Sequence, residues 1–162
     1  MAEKMTIPDR TSRGTVSVPE RLRFLNETEH HAVLATESGG QPLTSLVAYA
    51  LTDDLKGAIF ITPKRTRKYT NILANGRVAL LIDTRTNTDR AYLEAEAVTM
   101  IGMARSVRKG KRRDMLIATF LRKHPRLAEF ANSPSTALIL IEARRYIHVG
   151  RFQSVSEWII DN

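Results

Sequence analysis

The 162-residue sequence contains no cysteine, which excludes disulfides, thiolate metal sites and cysteine nucleophiles. It has no apolar run near the ~20 residues that a bilayer-crossing helix needs. The opening residues, MAEKMTIPDRTSRG, lack the apolar core of a signal peptide. The expectation is a protein of the cytoplasm with no membrane partner. Histidine is scarce, with four in the chain. His30 and His31 are neighbours that a strand would turn to opposite faces, and His124 and His148 lie far apart, so no metal site is expected. No nucleophile elbow marks a Ser-His-Asp site, and there is no fixed-period repeat or low-complexity tract. Acidic residues are also in short supply: 17 Asp and Glu face 25 Lys and Arg, a formal net charge of +8. That balance favours an anionic partner without choosing among nucleic acid, phosphorylated cofactor and acidic substrate.

What is present suits one globular domain. Hydrophobic residues make up 43% of the chain, and its length suffices for a proper core. Residues 1–16 are polar and read as a flexible arm, with a single domain over 17–162. Ser17 and Glu20 have capping-box spacing, so a helix is expected from Ser17 to about Asn26–Glu29, with Val18, Leu22 and Leu25 on its apolar face. His31–Thr36 and Leu43–Leu51 read as strands around the turn Ser38–Pro42. Residues 91–105 are ambiguous between helix and strand. We read them as one long strand, bent at Gly102. A helix over Lys111–Lys123 is expected to bury Met115, Leu116, Thr119 and Phe120, and His124-Pro125 to break it. Thr136–Ile141 reads as the last strand, continued to Val149. The apolar tail through Trp158 and Ile160 is expected to pack on the domain or on a partner subunit.

The most informative stretch is Gly57–Ile82. Ala58–Ile61 reads as a strand, Thr62 can cap a helix with Pro63 at its first position, and Asn75-Gly76 can stop it. Val78–Ile82 is then a second strand. Lys64, Arg65, Arg67 and Lys68 crowd the first turns, where the helix dipole favours acids instead. Such a cluster is either a solvated basic face or an anion site. A phosphate would meet free backbone N–H groups, the dipole, the Thr66 hydroxyl and several cations at once.

This segment resembles the FMN-binding split-barrel family typified by pyridoxamine 5′-phosphate oxidase. There a strand ends in aromatic-Thr, and a small-hydroxyl, Arg, Lys triplet follows shortly after to hold the FMN phosphate. Here those positions read Phe60-Ile61-Thr62 and Thr66-Arg67-Lys68, and Asn75-Gly76-Arg77 stands where the family has Asn-Pro-Arg. The likeness is close over this segment and extends in outline over residues 18–105. It implies a mainly β fold with flanking helices (α+β), a six-stranded split β-barrel of the FMN-binding type. It also implies FMN as cofactor and a homodimer with the flavin at the subunit interface. By alignment the cofactor-binding candidates are Thr62, Thr66, Arg67 and Lys68, with Lys64 as a further cation. Thr44, Ser45, Leu46 and Val47 of the second strand would lie along the flavin ring.

Flavin chemistry asks little of side chains, because the ring carries the hydride or electron pair, so no catalytic residue is assigned. The substrate or electron donor is an unspecified small molecule. Ser45 replaces the Arg of the vitamin oxidases, Ala50 and Ala97 stand near their Lys and Gln, and Arg145 and His148 do not form their Arg-x-His. The chain is therefore not expected to be the vitamin oxidase itself. Arg122-Lys123-His124-Pro125 and Val149-Gly150-Arg151-Phe152-Gln153 are similar to motifs of haem-utilising members of the superfamily. A haem-binding or haem-degrading protein, with His124 or His148 as iron ligand, is the alternative, and a deazaflavin is a variant of the first reading. A third reading, nucleic-acid binding through basic residues 105–126, is disfavoured by their few aromatics and the lack of a helix-turn-helix pattern.

Overall fold

The structure is a computed structural model describing residues 10–150 and 153–161. The first helix begins as its capping spacing predicts. Ser17 Oγ accepts from Glu20 N at 3.5 Å, and α1 runs Val18–Thr28 with Val18, Leu22 and Leu25 buried. A hairpin follows: β2 (His31–Ser38) and β3 (Gln41–Leu51), paired from His31↔Ala48 to Ser38↔Gln41. Its two-residue turn needs positive φ at both positions, which Gly39 (60°) and Gly40 (81°) supply without a Cβ clash.

Next come β4 (Gly57–Pro63), α2 (Arg67–Ala74) and β5 (Arg77–Asp83). The helix starts later than the Thr62-Pro63 cap predicts. Pro63 remains in β4, opposite Thr136, and Thr66 is the N-cap, accepting from Tyr69 N at 3.4 Å. Strand pairing outcompetes the earlier cap. Residues 91–105 also divide where one strand is expected: α3 (Ala91–Glu94) precedes β6 (Ala97–Ser106). Local helical propensity prevails where no neighbouring strand is available to pair. At Gly102, where a bend is expected, the pairing of β6 with β7 (Thr136–Gly150) shifts register, with the extra residue on β7.

A helix α4 spans Lys111–Lys123, as expected, but it buries Ile117 and Phe120, while Met115 is 71% exposed and Leu116 and Thr119 are half-buried. A single 3-10 turn (Pro125–Leu127) and α5 (Ala128–Asn132) lead into β7. β7 is not the last strand. The tail forms β8 (Ser154–Ile159), paired antiparallel with β7, and Trp158 stacks on Tyr146 with ring centres 5.6 Å apart. Of the expected arm, residues 1–9 lie outside the described residues, and β1 (Ser12–Arg13) pairs in parallel with β8.

The strands β7-β4-β3-β2-β5-β6 close back onto β7 as a six-stranded antiparallel barrel. Inward residues including Leu34, Tyr49, Phe60, Leu80, Met100 and Tyr146 fill it. Outside, Ile59, Ile61, Leu138 and Leu140 pack under Ile117 and Phe120 of α4. β4 is therefore buried on both faces except at Pro63, which explains its unbroken apolar run. α1 covers one end of the barrel, where Tyr49 Oη donates to Leu25 O at 3.2 Å. α2 covers the other through buried Ile72 and Asn71, whose Nδ2 donates to Thr36 Oγ1 at 3.1 Å.

Candidate functional site

The barrel is incompletely zipped at the α2 end. β3 pairs with β4 only over Tyr49–Leu51 against Ala58–Phe60. Continuing that register would set Val47 opposite Thr62 and Leu46 opposite Pro63, but the two strands do not pair there. The split has Thr44–Val47 on one side. On the other side Ile61–Pro63 leads through Lys64 and Arg65 into the N-terminus of α2. Every sequence-predicted cofactor residue therefore flanks one opening, although Thr44 and Lys68 stand 24 positions apart.

Their environments differ. Thr62 is buried, and its Oγ1 lies 3.1 Å from Thr66 Oγ1. Thr66 Oγ1 also donates to Pro63 O at 2.9 Å and caps the helix. Thr62 thus props the residue that shapes the helix start. Lys64 Nζ donates to Pro134 O at 3.1 Å. Arg67 is exposed and Lys68 half-buried, and neither makes an ion pair or side-chain hydrogen bond among the described residues. No acidic residue lies in the first turn of α2. Two cations, a positive dipole end and free N–H groups thus converge without an internal anion, a donor set that fits a phosphate dianion.

Alternation divides the β3 candidates. Val47 is 6% exposed in the barrel core and Ser45 shares its inward parity, whereas Thr44 and Leu46 face outward, Leu46 at 69% exposure. A ring lying on the outside of β3 can meet the side chains of Thr44 and Leu46, and of the other two only backbone. Clefts in the single chain open between α4 and the β3–β4 turn, around α1, and along β1 and β8. The split is an open rim in one protomer.

Sequence reasoning missed a polar cluster at the α1 end. Arg21 Nε donates to Glu96 Oε2 at 2.9 Å, its second nitrogen reaches Glu96 Oε1, and His148 Nε2 lies 2.8 Å from Glu96 Oε2. Burial raises the Glu96 carboxyl's pKa, but hydrogen bonds from Arg21 and His148 outweigh it, so the group sits below its usual range. These residues line a cleft of about 510 Å³. Their sequence separations of 75 and 52 leave no local signal. The second histidine considered as an iron ligand, His124, is buried with Nε2 2.7 Å from Tyr49 O. Both imidazoles thus have Nε2 engaged by the protein. Arg151 and Phe152 of the Val149–Gln153 motif lie outside the described residues. Among the described residues no group of three or more acidic or histidine side chains is placed to hold a metal ion, and no helix is long and apolar enough to cross a membrane.

Comparison with known proteins agrees with this geometry. Residues 18–150 match the family described as pyridoxamine 5′-phosphate oxidase. No curated protein sequence matches significantly. Among solved structures, a haem-binding protein from Mycobacterium smegmatis is similar with a TM-score of 0.78 and 18% identity, over 90% of this chain and 59% of that one. This chain thus spans well under two thirds of that protein. The haem storage protein of Vibrio cholerae is similar with a TM-score of 0.68 and 13% identity, over 89% of this chain and 95% of that one. A FAD-binding protein from Mesorhizobium loti gives 0.65 and 14%, over 82% and 94%. At these identities the likeness establishes the fold.

Proposed function

Because the chain belongs to the pyridoxamine 5′-phosphate oxidase family, we propose that it is an FMN-binding flavoprotein, an oxidoreductase acting on a small molecule in the cytoplasm. The observation that carries this reading is the split between β3 and β4. Arg67 and Lys68 stand on one side with unspent side-chain donors, next to the Thr66 cap, and the unpaired edge of Thr44–Val47 stands on the other. Arg67, Lys68 and the first N–H groups of α2 would hold the phosphate, with Lys64 as outlying cation. Thr62 would hold Thr66 in place, and β3 would offer backbone groups to the ring edge. Bound there, the flavin would supply the redox chemistry. The chain's own contribution is grip, orientation and exclusion of water.

Exclusion of water needs a cover that one protomer lacks. We place a second copy over the outer face of β3, β2, β5 and β6, where Leu46 is exposed and Val33, Ala79, Leu81 and Ile101 are half-buried. The protein is then a homodimer with two flavins at its interface.

A second reading, a haem-binding or haem-degrading protein, draws on the haem proteins that share the fold. His124 would ligate through Nε2 only by giving up Tyr49 O, whereas His148 keeps a buried Nδ1 without a partner while its Nε2 faces Glu96, so His148 is the candidate ligand of this second reading. The test is an absorption spectrum after FMN is added and the protein desalted, beside an Arg67→Ala/Lys68→Ala variant. Neither side chain has an ion pair or side-chain hydrogen bond among the described residues, so the variant should fold. Retained flavin in the wild type and at least about tenfold weaker retention in the variant, the loss of two charge-assisted contacts, is the expected result. A wild type that releases FMN but takes up haem would replace the first reading by the second.

A further inference from the structure

Two basic runs far apart in sequence meet at the rim that carries the split. β4 and β6 are both antiparallel to β7 and so run parallel to each other, leaving the barrel at the same end. They flank the start of β7. Lys64 N donates to Ser135 O at 2.9 Å on one side, and Val107 N to Leu138 O at 2.9 Å on the other. With one strand between them and anchors three residues apart along the start of β7, the runs leave the barrel roughly 14 Å apart, two strand spacings across and three residues of rise along. Arg65, Arg67 and Lys68 emerge after β4, and Arg108, Lys109 and Lys111 after β6. None of these six has an ion pair among the described residues. A flavin phosphate takes up at most two charges, leaving the larger part of the rim without a counter-charge.

We propose that this rim is a docking surface for the acidic face of a protein electron carrier, the source of reducing equivalents for the site beside it. Three observations select that occupant. The six cations are exposed except for half-buried Lys68, and they line none of the clefts described above, so they suit a protein face better than a second nucleotide. No acidic residue occurs in residues 63–68 or 105–113, so the two runs present charge of one sign to an acidic face. Residues 64–68 and 105–113 contain no aromatic side chain on which bases could stack. In this role the reduced carrier is oxidised and its electrons pass to the flavin, with protons taken from solvent.

The role rests on the flavin reading, but the docking is measured without it. A bacterial flavodoxin, an acidic electron carrier, is titrated calorimetrically against the full chain at low and moderate salt. Arg108→Glu/Lys109→Glu and Arg23→Glu/Arg90→Glu variants are compared. Both change the net charge equally, but the second pair lies away from this rim, and FMN retention is recorded for each. Expected are binding that weakens with salt, about tenfold weaker in the rim variant and changed less than twofold in the control, with FMN retained throughout. Absent binding, equal weakening in both variants, or tighter binding of a 20-base-pair DNA duplex through the same residues would overturn the proposal. Docking without FMN retention would overturn the flavin reading and the carrier's role while leaving the interface.

Discussion

Lys123 shows how a single residue's sequence setting can mislead. In the sequence it is one more cation in a basic run, yet its Nζ donates to Glu29 O at 2.7 Å and to Asn26 Oδ1 at 3.3 Å, and lies 3.7 Å from the centre of the Tyr49 ring. It ties the end of α4 to the end of α1, where a cation suits the dipole. Burial, opposed by nearby Glu29, lowers its pKa to about 7. In the unfolded chain the lysine holds its proton to about pH 10.4. Between those values the unfolded state binds more protons, so this group makes stability rise with pH from about 7 upward. Denaturation at pH 7 and pH 9, below tyrosine ionisation, should show a higher midpoint at pH 9 for the wild type. Lys123→Met should flatten that dependence. Equal slopes would mean that the ammonium keeps its proton, the hydrogen bonds and ring outweighing burial.

Among elements, the β6–β7 ladder explains a residue that periodicity alone marks only as a weak point in a strand. Ile101 pairs with Arg145 and Gly102 with Ala143, so β7 carries one extra residue. A Cβ on Gly102 would stand 2.3 Å from Glu142 O, a clash with backbone that no rotamer relieves. Gly102→Val should therefore destabilise the fold by about 1–3 kcal/mol, the usual cost of forcing extra atoms into a packed site. A denaturant midpoint equal to that of the wild type would refute this account. The sequence reading singled out this position because glycine in an apolar run is a local signal, but the extra residue sits on β7, which no local signal marks. It missed the Thr66 cap because Thr62 and Thr66 both satisfy the local rule, and pairing of Pro63 with β7 decides between them.

For the whole molecule, the open rim and exposed Leu46 are the grounds of the proposed dimer. Leu46→Glu would place a charge in the apolar centre of the interface. It should shift the molecular mass measured by light scattering from two chains to one and reduce FMN retention in parallel. A monomeric wild type that holds FMN would show that the split is closed in some other way. The charge distribution belongs to the same scale. The rim carries cations without partners, whereas at the other end Arg21 and Arg122 are matched by Glu96 and Asp53.

The sequence by itself determined the local pieces: the capped first helix, the Gly-Gly hairpin, the strand-helix-strand unit and the limits of α4. It also determined the hydroxyl-Arg-Lys triplet, because capping, periodicity and turn chemistry act within a few residues. Only the tertiary structure decided that β3 and β4 part before Val47, that Thr44 and Leu46 rather than Ser45 and Val47 face outward, and that Arg108 shares a rim with Arg67. It alone joined Arg21, Glu96 and His148. Strand partners and register are chosen by burial across the whole barrel, and a one-residue change in register would turn every side chain of a strand to its opposite face.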